Sequence, residues 1–126
     1  MAGVAVDVLV AEDDEQIAKI LVAIFAREGL SVHHAPDGMA AREFIANSPV
    51  PRLVLLDVMM PYVDGFQLVQ EIRAKPDWGN VPVAMLTAKS QEKDVIKAIK
   101  SGANEYIVKP FQPGELVARL KRLMNM

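Results

Sequence analysis

Short apolar runs alternate along the chain with longer stretches whose apolar positions recur every three or four residues, and the alternation repeats five times. Residues 6–11 are rich in β-branched side chains and nearly continuous, as a strand buried on both faces should be. Ile17, Leu21, Ile24 and Phe25 then recur at helical spacing as far as Gly29, a residue suited to the position just past a helix end. Residues 30–35 interleave apolar side chains with Ser31 and His33, which predicts a strand with one wetter face at a sheet edge. A helix is predicted over 38–47. The run 52–56 is the most apolar and is expected at the sheet centre; Pro61 and Gly65 break the chain before a helix carrying Phe66, Leu68, Val69 and Ile72. Residues 75–79 read as a loop, 81–86 as a strand, 91–101 as a helix stopped by Gly102, and Glu105–Val108 as a strand. The last helix shows Leu116, Leu120 and Leu123 as its core stripe. Strands joined by helical crossovers run parallel, so the pattern predicts an α/β fold, a five-stranded parallel sheet with helices on both faces.

Four of the apolar runs end in a residue able to take part in phosphoryl chemistry. Val8–Ala11 leads into Glu12 and Asp13, Leu53–Leu56 into Asp57, 83–86 into Thr87, and 107–108 into Lys109. In an open parallel sheet ligands bind outside the carboxyl ends of the strands, so these residues are expected to converge on one acidic pocket with one cation. Carboxylates that close raise each other's pKa unless a positive charge neutralises them. A hard divalent cation such as Mg²⁺ (or Mn²⁺) does so, taking carboxylate, carbonyl and water oxygens. Lys109 adds a point charge for Asp57 or a phosphoryl oxygen, and the Thr87 hydroxyl can hydrogen-bond another oxygen. An Asp carboxylate is a nucleophile towards phosphoryl groups. Asp57 is the candidate, with cation partners expected on both sides. Asp14 and Glu15 read instead as the acidic start of the first helix, at the positive end of its dipole. A second role, as cap of the helix around Lys89, is open to Thr87.

Composition narrows the class. The chain has 126 residues, 52% of them apolar, which suits one domain over 1–126 with a single core. Fourteen Lys and Arg against sixteen Asp and Glu give a net charge of −2, and no basic cluster points to direct contact with nucleic acid. The apolar runs fall far short of the ~18 residues of a membrane span, and residues 1–7 lack a charged leader, so a cytoplasmic protein without a membrane partner is expected. There is no cysteine, hence no disulfide framework and no thiolate chemistry. His33 and His34 read as edge residues, and the methionines as core filler and loop, apart from Met59.

Taken in order, V-L-V-A-E-D-D-E after the start, L-V-L-L-D-V-M-M-P-Y-V-D-G around Asp57, M-L-T-A at Thr87 and Y-I-V-K-P-F at Lys109 resemble the receiver domain of bacterial two-component response regulators. The resemblance covers essentially the whole chain. It implies a flavodoxin-like fold of strand order 2-1-3-4-5, the order of the chemotaxis regulator in that family. It implies Asp57 as phosphoacceptor, Asp13, Asp57 and the Met59 carbonyl as direct Mg²⁺ ligands, and Glu12 reaching the ion through water. Thr87 and Lys109 match the phosphoryl-sensing hydroxyl and lysine, Tyr106 matches the aromatic that swings inward with the threonine, and the Lys109–Pro110 peptide is implied to be cis. The implied donor is a sensor histidine kinase or a histidine phosphotransfer protein. The implied output is a change in the face of the fourth helix, fifth strand and fifth helix, where Tyr106, Lys97, Lys100, Glu105, Arg119 and Arg122 are expected to meet a downstream protein, an output domain or a second copy.

The stretch E-L-V-A-R at residues 115–119 is similar to receivers attached to winged-helix DNA-binding domains, and with Glu105 it implies part of a dimer salt-bridge set; Val95 and Ser101 depart from that set. Such a domain is not an enzyme beyond its own phosphorylation and dephosphorylation. A pseudo-receiver with the fold and a silent site is the alternative, and no key position is substituted in its favour. A haloacid-dehalogenase-like phosphatase needs a second Asp two residues after the nucleophile, where this chain has Met59. Flavin binding needs a Ser/Thr-rich phosphate loop, and here that loop is acidic, Glu12 through Glu15.

Overall fold

The computed structural model describes residues 5–88 and 91–126. The elements follow one another as β1 (Val8–Ala11), α1 (Glu15–Arg27), β2 (Val32–Ala35), α2 (Gly38–Asn47), β3 (Leu53–Leu56), α3 (Gly65–Ala74), β4 (Val83–Thr87), α4 (Glu92–Ser101), β5 (Glu105–Val108) and α5 (Pro113–Leu123). All strand pairs are parallel and the sheet order is β2-β1-β3-β4-β5, the flavodoxin-like arrangement. β1, β3 and β4 are buried on both faces, and β2, with exposed His33, forms one edge.

Strand alternation divides the core into two layers. Leu9, Ala11, Val54, Leu56, Val83 and Met85 face α2, α3 and α4, where Ile45, Leu68, Ile72 and Ala98 meet them. Val8, Val10, Leu53, Leu55, Ala84 and Leu86 face α1 and α5, where Leu21, Phe25, Leu116 and Leu120 complete the second layer.

Several strands are shorter at their amino ends than the hydrophobic pattern predicts, and the reason for β2 lies in the preceding helix. Gly29, at φ +77°, lets its own N–H reach the Ala26 carbonyl and the Leu30 N–H reach the Phe25 carbonyl, a Schellman closure. Leu30 therefore belongs to the helix cap and not to β2. Thr87 is not a helix cap either: it ends β4, and α4 starts only at Glu92 behind Gln91, which makes no side-chain cap bond. Lys89, the other half of that expectation, lies outside the described residues, as do residues 1–4 of the segment read for a leader.

The loop predicted over 75–79 holds a buried Trp78, whose ring meets Phe44 edge to face at 6.3 Å. Arg73, near the end of α3, donates to the carbonyls of Gly79, Val81 and Gly102 and to the Asn104 side chain, tying the α3–β4 and α4–β5 connections together. Neither feature has a local sequence signal.

Candidate functional site

Backbone pairing runs one residue beyond the strand ends, and this brings the polar residues to one edge. The Glu12 N–H donates to Ala35, that of Asp57 to Ala11 and that of Lys109 to Thr87. The register pairs Ala11 with Leu56, Leu56 with Met85 and Thr87 with Val108, so Glu12, Asp57, Thr87 and Lys109 share the carboxyl edge of four adjacent strands. Just beyond, Asp14 caps α1 by accepting from the Gln16 and Ile17 N–H groups, with Glu15 in the first turn, which turns the chain away and leaves Glu12 and Asp13 facing the edge. After β3, Gly65 begins α3 where an added Cβ would lie 2.5 Å from the Asp57 carbonyl oxygen and 2.7 Å from the Met85 methyl. Only glycine allows the helix start to close on the backbone that carries Asp57.

The side chains form a compact charged cluster. One ligand atom each from Glu12, Asp13 and Asp57 lies within 4.8 Å of the others. The Lys109 ammonium donates to Asp57 Oδ2 at 2.9 Å and stands 2.6 Å from Glu12 Oε1, while Asp57 Oδ1 accepts the Met59 N–H at 3.0 Å. Glu12 Oε2 accepts the Asp14 N–H, and the His34 Nε2 approaches the Glu12 carbonyl oxygen at 2.7 Å. Glu12, Asp57 and Thr87 are buried, whereas Asp13 is exposed. Outside the cluster opens a cleft of about 590 Å³ walled by Asp13, Met59, Pro61, Asp64, Phe66 and Lys97.

Among the described residues, three carboxylates against one ammonium leave an excess of negative charge. Burial, helped by the neighbouring Asp57, pushes the Glu12 carboxyl up to about 7 although Lys109 pulls it down. Lys109 shows the converse: burial disfavours its charge, but Asp57 and Glu12 together hold it above the usual lysine range. Among the described residues, the side-chain groups that converge as ligands for a cation are carboxylates, which suits a hard divalent ion that would relieve the excess.

The raised Glu12 value makes stability pH-dependent with a definite sign. Between the ordinary 4.5 and about 7, the folded chain keeps a proton that the unfolded chain has lost, so this group's contribution falls as pH rises through that window. In chelator, urea unfolding should show the wild type losing about 2 kcal/mol from pH 5 to pH 8 relative to Glu12→Gln. An identical pH profile for the two proteins would mean that burial of Glu12 does not govern its proton.

The remaining expected residues lie around this cluster. Met59 presents its backbone to Asp57 and its side chain, 59% exposed, to the cleft. The Lys109–Pro110 peptide is cis. Tyr106 requires a correction: it was expected on an accessible face, and it is buried, 9% exposed, in the core layer with α2, α3 and α4. Burial, then Asp94 and Asp57, raise its phenol pKa. Glu105 and Arg119, expected to be available to a partner, pair with each other within the chain, and Arg119 also donates to the Tyr106 carbonyl and meets Glu115 at 3.5 Å. β5 and α5 are neighbours in space, so these opposite charges find each other without a second copy. Lys100 and Arg122 are exposed as expected.

The sequence reads His34 only as an edge residue and does not single out Asp64. The D-x-x-Q spacing of Asp64 and Gln67 marks a helix start, and Asp64 indeed caps α3 through the Gln67 N–H. Nothing local marks His34, whose contact with Glu12 spans two strands.

Residues 8–121 match the family model described as the response regulator receiver domain. The chain belongs to that family. The receiver is 43% identical over 118 residues to a probable transcriptional regulator, ycf27, of Galdieria sulphuraria, an alignment covering 94% of this chain and 45% of that protein. It spans about half the length of the curated relatives it matches. Among solved structures, the receiver domain of Francisella response regulator 1452 superposes with a TM-score of 0.86 at 35% identity, covering 95% of this chain and 97% of that one. The receiver domain of sensor histidine kinase PA1611 from Pseudomonas aeruginosa PAO1, determined with a magnesium ion coordinated in its active site cleft, superposes at 0.86 with 28% identity, covering 98% of this chain and 100% of that one. No helix among the described residues of the receiver is long and apolar enough to cross a membrane.

Proposed function

We propose that this receiver takes a phosphoryl group onto Asp57 from a phosphohistidine donor, a sensor kinase or a histidine phosphotransfer protein, and passes the change of state to an output protein or domain. The observation that carries this reading is the convergence of Glu12, Asp13 and Asp57 with Lys109 at the mouth of a cleft. Glu12 and Asp57 are both buried and held from two sides, Glu12 by Lys109 and the Asp14 N–H and Asp57 by Lys109 and the Met59 N–H; the attack on phosphorus is assigned to Asp57 because the residues that follow it, Val58 and Met59, line the cleft. Asp13, Asp57 and the Met59 carbonyl would hold Mg²⁺, or Mn²⁺ in its place, with Glu12 acting through water. The ion, when bound, supplies neutralisation of the charge on the phosphoryl oxygens.

In this reading the attacking oxygen is an Asp57 carboxylate oxygen, the bond to phosphorus forms as the bond to the histidine nitrogen breaks, and that nitrogen keeps the electron pair. The product carries nearly two negative charges and three acceptor oxygens at a buried position. Lys109 follows the new charge, and the Thr87 hydroxyl at the neighbouring strand end turns towards a phosphoryl oxygen. Movement of Thr87 shifts what packs against the buried Tyr106, and the α4–β5–α5 face changes with it. That face, with exposed Ile99, Lys100, Val108 and Arg122, is the surface we assign to an output protein or a second copy. A cytoplasmic location and a single receiver domain over 1–126 belong to the same proposal, as does the absence of catalysis beyond self-phosphorylation and dephosphorylation.

The test is intact mass after incubation with acetyl phosphate. One phosphoryl adduct is expected with Mg²⁺ and none in excess chelator. An adduct that persists in chelator would refute the metal site, and a folded chain that never takes an adduct would refute the reading as a whole.

A further inference from the structure

The cleft outside Asp57 contains a cation that the chemistry described so far does not use. Lys97, on α4, lines the same cleft as Asp13, Met59 and Asp64, and its ammonium sits 4.5 Å from the centroid of the Phe66 ring. Phe66 is itself buried in the first turn of α3, so the ring face offers Lys97 a fixed seat on the cleft wall. The inner cluster carries three carboxylates and Lys109, a deficit that one divalent ion cancels. At the mouth, Asp64 is opposed by Lys97. Among the described residues, the entrance to the site would be net negative without Lys97.

In a phosphoryl transfer the attacking and leaving atoms lie in line on opposite sides of phosphorus. With Asp57 as the attacking group, next in the chain to Val58 and Met59 of the cleft wall, the leaving group of a donor points away from Asp57, towards the volume that Lys97 lines. We propose that Lys97 sets the preference between small phosphoryl donors at this site, favouring acetyl phosphate over phosphoramidate. The proposal rests on the reading of Asp57 as the acceptor.

The charges account for the preference. Acetyl phosphate enters as a dianion, and when the Asp57 oxygen bonds to phosphorus the P–O bond breaks with its electron pair on acetate, an anion. Phosphoramidate enters as a zwitterion with one net negative charge, and its P–N bond breaks to leave neutral ammonia. Both reactions end with the same phosphoryl group on Asp57. A cation at the mouth favours approach of the dianion and departure of the anion, and has much less to act on with the other donor.

The experiment compares second-order rate constants of phosphorylation by acetyl phosphate and by phosphoramidate, in saturating Mg²⁺, for the wild type, Lys97→Ala, Lys97→Arg and Lys93→Ala. Lys93 lies on the same helix and lines the outer groove but not the cleft. Lys97→Ala should slow the acetyl phosphate reaction about fivefold and the phosphoramidate reaction less than about twofold, with the gap closing near 1 M salt. Lys97→Arg should restore the preference and Lys93→Ala should leave it unchanged. An equal loss with both donors, or none with either, overturns the proposal. A wild type that takes phosphate from neither donor overturns the assignment of Asp57 on which it stands.

Discussion

Asp57→Asn should take up no phosphoryl group from acetyl phosphate and Mg²⁺ while remaining as well folded as the wild type. The amide is a poor nucleophile, and neither Glu12 nor Asp13 can substitute for the lost carboxylate. Glu12 is buried more deeply than Asp57, 1% against 6% exposed, and Asp13, on the cleft wall, is taken up as a metal ligand in the proposed reaction. Stability should hold because the substitution removes one of three crowded negative charges. Lys109 keeps Glu12 as its partner at 2.6 Å, and the amide oxygen can still accept one of the two bonds that Asp57 now accepts. A change within about 1 kcal/mol in urea unfolding is expected. Intact mass decides the first half: an adduct of wild-type extent on the variant would mean that another side chain accepts the phosphoryl group.

Lys109→Ala should have the opposite profile, a large loss of stability with phosphoryl uptake retained. Its ammonium contacts two buried carboxylates at once. Removing one partner of a buried pair typically costs 3–5 kcal/mol because the remaining charge has no compensation. In chelator at pH 8 a loss of about 3 kcal/mol is expected, shrinking towards pH 5 as a carboxylate takes up a proton. Mg²⁺ should recover much of it, since a divalent ion neutralises the same oxygens. With Mg²⁺ present the variant should still accept phosphate on Asp57, more slowly. Its amide exchange at α4, β5 and α5 should then stay as in the unphosphorylated protein, because no ammonium follows the new charge. Wild-type-like exchange changes in the phosphorylated variant would remove Lys109 from the switching role.

The existence and kind of the elements were legible because the signals are local. Gly29 ends α1 through its own backbone angle, Asp14 caps the same helix with its own carboxylate, and the unbroken apolar run before Asp57 needs cover on both faces wherever it is placed. Order in the sheet is another matter. The alternation of strands and helices is compatible with several parallel arrangements, and it was the resemblance of four motifs, not the pattern, that pointed to 2-1-3-4-5. The site residues could be named for a related reason: in a parallel sheet every strand delivers its last residue to the same edge.

What the sequence by itself determined was the inventory: five strand–helix units, an acidic edge with one lysine, and no span or cysteine to suggest another class. Tertiary structure alone decided the partnerships. Lys109 and Asp57 are 52 residues apart, and only the register of β3, β4 and β5 brings them to 2.9 Å. The same packing buries Trp78 within a turn, draws Tyr106 into the core, and closes Glu105 on Arg119 inside one chain. It also seats Lys97 over Phe66 at the mouth of the cleft. Residue type and spacing report what a side chain can do, but burial and charge pairing depend on which elements meet. Those meetings are set by the global fit of two helical layers on one sheet, which no window of neighbouring residues encodes.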